Sequence, residues 1–259
     1  MKSLVKSIVN QLGFEITKNP VSELTDKSLT VQNLFPSDFD REEIDLFNQV
    51  SPYTMTSKER VFALIQAVKY IGRHEIPGDI VECGVWKGGS MMAIAKTLLA
   101  EQDPSRHLYL FDTFSGMSEP SEADLDFSGR EAVKLLEDDN KEDGWIWCNA
   151  PMEGVQNVMS MTGYDLNKIH FIQGKVEDTL PANAPEKIAL LRLDTDWYES
   201  TRHELIHLFP LLSKDGVIII DDYGHWQGAK KAVDEYFEEH NIKILLNRID
   251  ETGRIAIKS

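Results

Sequence analysis

Cysteine is scarce: Cys83 and Cys148 are the only two among 259 residues, too few and too far apart for a disulfide framework or a zinc knuckle. Their scarcity suggests a reducing compartment, and the chain reads as cytoplasmic. No apolar run approaches the ~20 residues of a membrane span, and no secretory leader opens the chain. Positive charge is also short: 27 Lys and Arg face 43 Asp and Glu, a formal net charge of −16. That balance speaks against nucleic acid, whose binding rests on cationic contacts to phosphate, and against anionic membrane surfaces. It says nothing about which small molecule is bound.

What is present is organised around Asp79-Ile-Val-Glu-Cys-Gly-Val-Trp-Lys-Gly-Gly-Ser90. Apolar residues ending in an acid predict a buried strand running out to a ligand. Gly84, Gly88 and Gly89 let the backbone turn sharply and approach a bound molecule closely. Ser90 begins a helical run to Leu99, whose N-terminal amides face the same spot. A dinucleotide fold wants G-x-G-x-x-G for a pyrophosphate. Here Glu82 stands inside the pattern, where it would repel a pyrophosphate and suit a cationic or amino-bearing ligand, the arrangement with which S-adenosylmethionine methyltransferases begin.

Strand and helix patterns then alternate, which predicts a parallel, doubly covered sheet. Further strands are expected at His107–Phe114, Ile169–Lys175, Ile188–Asp196 and Val217–Tyr223, and helices at Met152–Met161, Tyr198–Leu212 and Gln227–His240. Ile242–Ile249 and Arg254–Ile257, joined by Asp-Glu-Thr-Gly, read as a terminal antiparallel hairpin. The fold class is thus α/β, a doubly wound seven-stranded sheet of the Rossmann-like, class I methyltransferase kind. Residues 1–55 read as a helical arm or lid, with an amphipathic helix up to about Asn19 and another at Arg41–Val50, and residues 56–259 as the main domain. Thr56-Ser-Lys-Glu59 matches a capping box for a helix through Ile71. Residues 117–150 break the pattern as an acidic insertion, either a solvated loop with one helix near Glu131–Leu136 or a substrate-side lid carrying Trp145 and Trp147.

In an open parallel sheet, ligands sit beyond the C-terminal strand ends. The acids there are Glu82, Asp112, Asp194, Asp221 and Asp222. Asp112 is placed to accept from ribose hydroxyls. Asp194, Asp221 and Asp222 converge from adjacent strands, and three hard oxygen donors suit Mg²⁺; the plain alternative is a pair of capping aspartates. Five carboxylates in one crevice would repel one another without something cationic among them.

The segments Glu-Cys-Gly-Val-Trp-Lys-Gly-Gly-Ser, Phe-Asp-Thr-Phe-Ser-Gly-Met, Asp-Thr-Leu-Pro, Leu-Arg-Leu-Asp-Thr-Asp-Trp-Tyr-Glu-Ser-Thr and Asp-Asp-Tyr-Gly-His-Trp, in this order between Tyr53 and Phe237, resemble the TylF/MycF macrocin-type O-methyltransferases. The resemblance implies a Mg²⁺-dependent transfer from S-adenosylmethionine to a sugar hydroxyl of a natural product, by a homodimer or larger homo-oligomer. It also implies metal ligation by Asp194, Asp221 and Asp222, and cofactor contacts from Glu82, Gly84, Ser90, Asp112, Thr113 and Gly174-Lys175-Val176, with Thr54-Met55 near the methionine end. A phenolic or other small hydroxyl is the alternative acceptor. Catechol-type relatives carry a lysine where this chain has Trp197, which makes a flat catechol less fitting. The family's histidine base, after the second strand, has no counterpart, since no histidine lies between Phe114 and Asn167. Asp196 is the first candidate for the base, with capping of the following helix as its other role; His225 is the second candidate, with a structural hydrogen bond as its other role.

One competing pattern remains. His203-Glu-Leu-Ile-His207 matches the helical zinc-protease motif H-E-x-x-H. Its apolar neighbours read as a sheet-packing helix, Pro210 interrupts it, and no third ligand follows in the required context.

Overall fold

The computed structural model describes residues 35–259 apart from 143 and 145, and its main compact unit is Phe39–Ser259. The helix expected near the start of the chain, like Trp145, lies outside the described residues. β1 (Asp79–Cys83) is flanked by β2 (Leu108–Asp112) on one side and β4 (Ile188–Leu193) on the other, all parallel. β3 (Ile169–Gln173) pairs with β2, and β5 (Leu212–Ile220) with β4. β7 (Arg254–Ile257) then joins β5 antiparallel and carries β6 (Asn247–Arg248), giving the order β3-β2-β1-β4-β5-β7-β6. The expected hairpin is present, but its first strand shrinks from Ile242–Ile249 to two residues. Ile242, Ile244 and Leu246 instead pack against a core cluster.

Helices cover both faces. On one side lie α1 (Arg41–Val50), α2 (Lys58–Arg73) and α3 (Gly89–Ala100). Their apolar positions meet Ile80, Leu108, Leu110 and Leu190 in one core cluster. On the other lie α7 (Tyr198–Leu208) and α8 (Gln227–Glu239), packed on Val81, Phe111, Leu191 and Ile218. Such two-sided burial explains why β4 is an almost unbroken apolar run. α7 stops at Leu208, before Pro210, and continues as a short 3₁₀ turn, Phe209–Leu211.

The cap of α2 differs from the capping box read in the sequence. Ser57 is the N-cap, accepting from Arg60 N at 3.1 Å. The Thr56 hydroxyl is taken instead by Arg192 Nη2, at 3.0 Å.

The insertion carries the expected short helix and keeps most of its acids in solvent, but one side of it is packed. α4 (Ala132–Asp138) contributes Ala132 and Leu136 to a third cluster with Ile146, Trp197, Trp226 and Ala229. Two of the insertion's acids are buried and structural, Asp124 and Asp126: Asp124 Oδ1 accepts from Tyr198 N at 2.7 Å, bonding a free amide at the start of α7. α5 (Met152–Ser160) and the single turn α6 (Val176–Thr179) complete the described α-helices. None of the described helices is long and apolar enough to cross a membrane.

Candidate active site

A cavity of about 380 Å³ opens at the C-terminal ends of β1, β2, β4 and β5. At its β1 side the chain turns through Gly84, where φ is 82° and a Cβ would stand 2.0 Å from Asp194 O. Only glycine meets both conditions. α3 then starts from Gly88 with no side-chain cap, and Ser90 in its first turn lines the cavity.

Asp112 fastens this turn. Its Oδ2 accepts from Val85 N at 2.7 Å and Trp86 N at 2.9 Å, and its Oδ1 from Phe114 N at 2.7 Å. Burial raises its pKa while these amides oppose the rise. Oδ1, with one amide and only a 3.5 Å contact from Thr113, retains accepting capacity. Thr113, Gly174, Lys175, Val176 and Met55 also line the cavity. Glu82 does not. It is wholly buried behind the wall, with Oε1 paired to Arg192, and burial, partly offset by Arg192, lifts its pKa to about 7.

Arg192 is the centre of the arrangement. Buried within β4, it bonds Asp194 Oδ2 at 2.8 Å and Asp221 Oδ1 at 2.6 Å as well as Glu82. Arg60, from the first turn of α2, pairs with the other oxygen of Asp221 and reaches Asp250 Oδ2 at 2.9 Å. The crevice therefore contains two arginines paired with its acids, which the pattern of strand-end acids does not reveal. An arginine inside an otherwise apolar strand is the available signal for Arg192. Arg60 carries none, since the hairpin turn that holds Asp250 comes from the far end of the chain.

One ligand atom each from Asp194, Asp221 and Asp222 lies within 4.8 Å of the others, the only such cluster of three among the described residues. Burial first, and neighbouring carboxylates second, raise the pKa values of Asp194 and Asp222 well above the usual range, Arg192 opposing this at Asp194. Two arginines thus leave these acids short of positive charge. Asp196 also lines the cavity; it bonds Asp222, sits at φ 72°, and burial lifts its pKa to about 7. It does not cap α7, whose N-cap is Trp197 and whose Tyr198 amide goes to Asp124. His225 lines the same cavity with its ring edge-on to Trp226 at 4.8 Å, and burial lowers its pKa.

The H-E-x-x-H reading fails on geometry. Glu204 is fully buried and accepts from Thr195 Oγ1 at 2.8 Å, so it cannot serve a metal-bound water. His203 and His207 lie with their rings tilted against each other, centroids 4.4 Å apart, and belong to no cluster of three ligands among the described residues.

Comparison with known proteins identifies the family and the fold. Residues 23–257 match the macrocin O-methyltransferase (TylF) family. The chain is 34% identical over 201 residues, 78% of its length and 74% of the relative's, to 8-demethyl-8-(2,3-dimethoxy-alpha-L-rhamnosyl)-tetracenomycin-C 4'-O-methyltransferase of Streptomyces olivaceus. It is 31% identical, with 78% and 76% covered, to mycinamicin III 3''-O-methyltransferase of Micromonospora griseorubida. Among solved structures, the O-methyltransferase NovP superposes with a TM-score of 0.70 at 29% identity, covering 80% of this chain and 82% of that one. The calicheamicin methyltransferase CalS11, at 17% identity and a TM-score of 0.62 with 94% and 99% covered, shares the fold. The chain therefore belongs to the macrocin O-methyltransferase family and is an S-adenosylmethionine-dependent O-methyltransferase of the class I fold.

Proposed function

We propose that this enzyme methylates a hydroxyl of a sugar in a glycosylated small molecule, with a divalent cation such as Mg²⁺ held by Asp194, Asp221 and Asp222. The observation that carries the reading is the position of these three acids in the same cavity as Gly84 and Asp112. The donor set fits: all three are hard oxygen ligands, and burial drives Asp194 and Asp222 toward protonation in the absence of further positive charge. The named acceptors of two relatives, a rhamnosyl tetracenomycin derivative and mycinamicin III, support a glycoside.

When bound, the cation would lower the pKa of a coordinated acceptor hydroxyl, and S-adenosylmethionine would supply the methyl group. The chain does the rest. Asp112 Oδ1 and the glycine turn orient the nucleoside end, and Met55 covers the methionine end. Arg192 and Arg60 hold Asp221 from both sides, fixing the site before a ligand arrives. Asp196 Oδ takes the hydroxyl proton. Met117, Ser118, Ile146 and Cys148 from the insertion close the acceptor side and exclude water.

The test is methyl transfer from S-adenosylmethionine to a panel of glycosides, followed by mass, with and without excess chelator. Mass gain on a sugar, lost with chelator and restored by Mg²⁺, is expected. Equal turnover in chelator would remove the metal, and transfer only to phenols would remove the sugar.

A further inference from the structure

Phe127 is the one exposed Phe, Tyr or Trp among the described residues, with 69% of its surface in solvent. An isolated exposed apolar residue needs no explanation, but this one is built into position. Beneath it, the buried Asp126 carboxylate accepts from Ser128 N at 2.8 Å, Ser128 Oγ at 2.7 Å, Arg130 N at 2.9 Å and Arg130 Nε at 2.7 Å. The Asp126 carbonyl accepts from Gly129 N at 3.0 Å and from Gln227 Nε2 at 2.9 Å, which ties the turn to α8. Backbone on both sides of Phe127 is fixed while its ring is left in water.

The ring also has a direction. It stands edge-on to His225, with centroids 5.6 Å apart, and His225 in turn meets Trp226 at 4.8 Å. His225 and Trp226 both line the cavity. A row of rings therefore leads from the cavity wall out to solvent, ending at Phe127. Polarity changes along the same path, from the carboxylates of Asp194, Asp196 and Asp222 to these rings. A sugar hydroxyl suits the carboxylate end, and an apolar group suits the other.

Resting on the glycoside reading above, we infer that Phe127 and His225 form an aglycone ledge at the cavity mouth. It binds the apolar or planar group attached to the sugar that is methylated. Because the turn is already ordered, binding there loses little conformational entropy.

The probes are matched pairs of 4-nitrophenyl and methyl hexopyranosides, titrated calorimetrically into the full chain saturated with S-adenosylhomocysteine and Mg²⁺. The intact enzyme is expected to bind the aryl member of a pair roughly three- to tenfold more tightly, the span of one aromatic contact. Phe127→Ala should erase that preference while leaving the affinities for the methyl glycoside and for S-adenosylhomocysteine unchanged, and Phe127→Tyr should keep it. An aryl preference that survives Phe127→Ala, or no preference in the intact enzyme, overturns the ledge and leaves the glycoside reading standing. Failure of the intact enzyme to bind either member of any pair overturns the glycoside reading, and the ledge falls with it.

Discussion

Arg192 Nη2 donates to Asp221 Oδ1 across 2.6 Å, from the inside of one parallel strand to the end of the next. With Glu82 and Asp194 on the other amine of the same guanidinium, one buried cation bridges the ends of β1, β4 and β5 and offsets only part of their negative charge. Burial opposes its charge, yet Asp194, Asp221 and Glu82 raise its pKa well above the ordinary value. It stays charged at any pH the fold survives.

Replacing Arg192 with Met, similar in bulk and uncharged, leaves buried carboxylates without a partner. The expected loss is about 3–5 kcal/mol of unfolding free energy in urea. A change below ~1 kcal/mol, within the range of an exposed pair, would show that the cluster is solvated.

Asp221→Asn removes one of the three clustered acids while retaining its volume. Methyl transfer should fall at least about a hundredfold, the size of effect seen when one preorganised charge-stabilising group is removed. S-adenosylmethionine binding, measured by calorimetry, should stay within a few-fold. Retained turnover would remove Asp221 from the chemistry.

Asp196→Asn should lower kcat by roughly 10²–10⁴-fold with little change in the KM for the acceptor, as expected for a lost general base. His225→Asn should change kcat far less. The reverse ranking would move the proton to His225.

Glu204 is fully buried, and burial, only partly relieved by the Thr195 hydroxyl, raises its pKa well above the usual value of 4.5. A carboxyl raised on folding stabilises below its unfolded pKa, and that contribution is lost as pH rises toward its folded value. Glu204→Gln removes this titration and keeps a hydrogen-bonding group beside Thr195. The variant should therefore gain stability relative to the parent from about pH 4.5 upward, by at most ~1.4 kcal/mol per pH unit, in urea unfolding at pH 5 and pH 8. A pH-independent difference would refute the buried neutral acid.

Gly84→Ala places a methyl group against the Asp194 carbonyl at a positive φ. Strain and overpacking together should destabilise the fold by about 2 kcal/mol or more. A thermal unfolding midpoint equal to the parent's would mean that the turn has room.

Local chemistry makes much of this fold legible in the amino-acid sequence. The glycine turn at Gly84 requires a residue without Cβ, and the apolar runs of β1, β4 and β5 require burial on both faces, so sequence alone dictates the parallel sheet, its closing hairpin and the acids at its edge. It also places α1 at its observed bounds, because Asp40 and Glu43 reciprocally cap the first turn. The α2 cap lies one residue beyond the expected Thr56, since Thr56 and Ser57 offer the same hydroxyl and only the approach of Arg192 separates them.

Tertiary structure alone decided which of those acids face the cavity and what neutralises them. Glu82 and Asp112 end adjacent strands, yet one is sealed behind Arg192 and the other bonds the turn amides. The acidic insertion became a packed layer once Asp124 and Asp126 found partners, Asp124 from a distant segment and Asp126 within its own turn. The physical reason is the same throughout: backbone pattern follows from neighbours in sequence, whereas a buried charge is settled by whichever opposite charge or N–H the fold brings within about 3 Å.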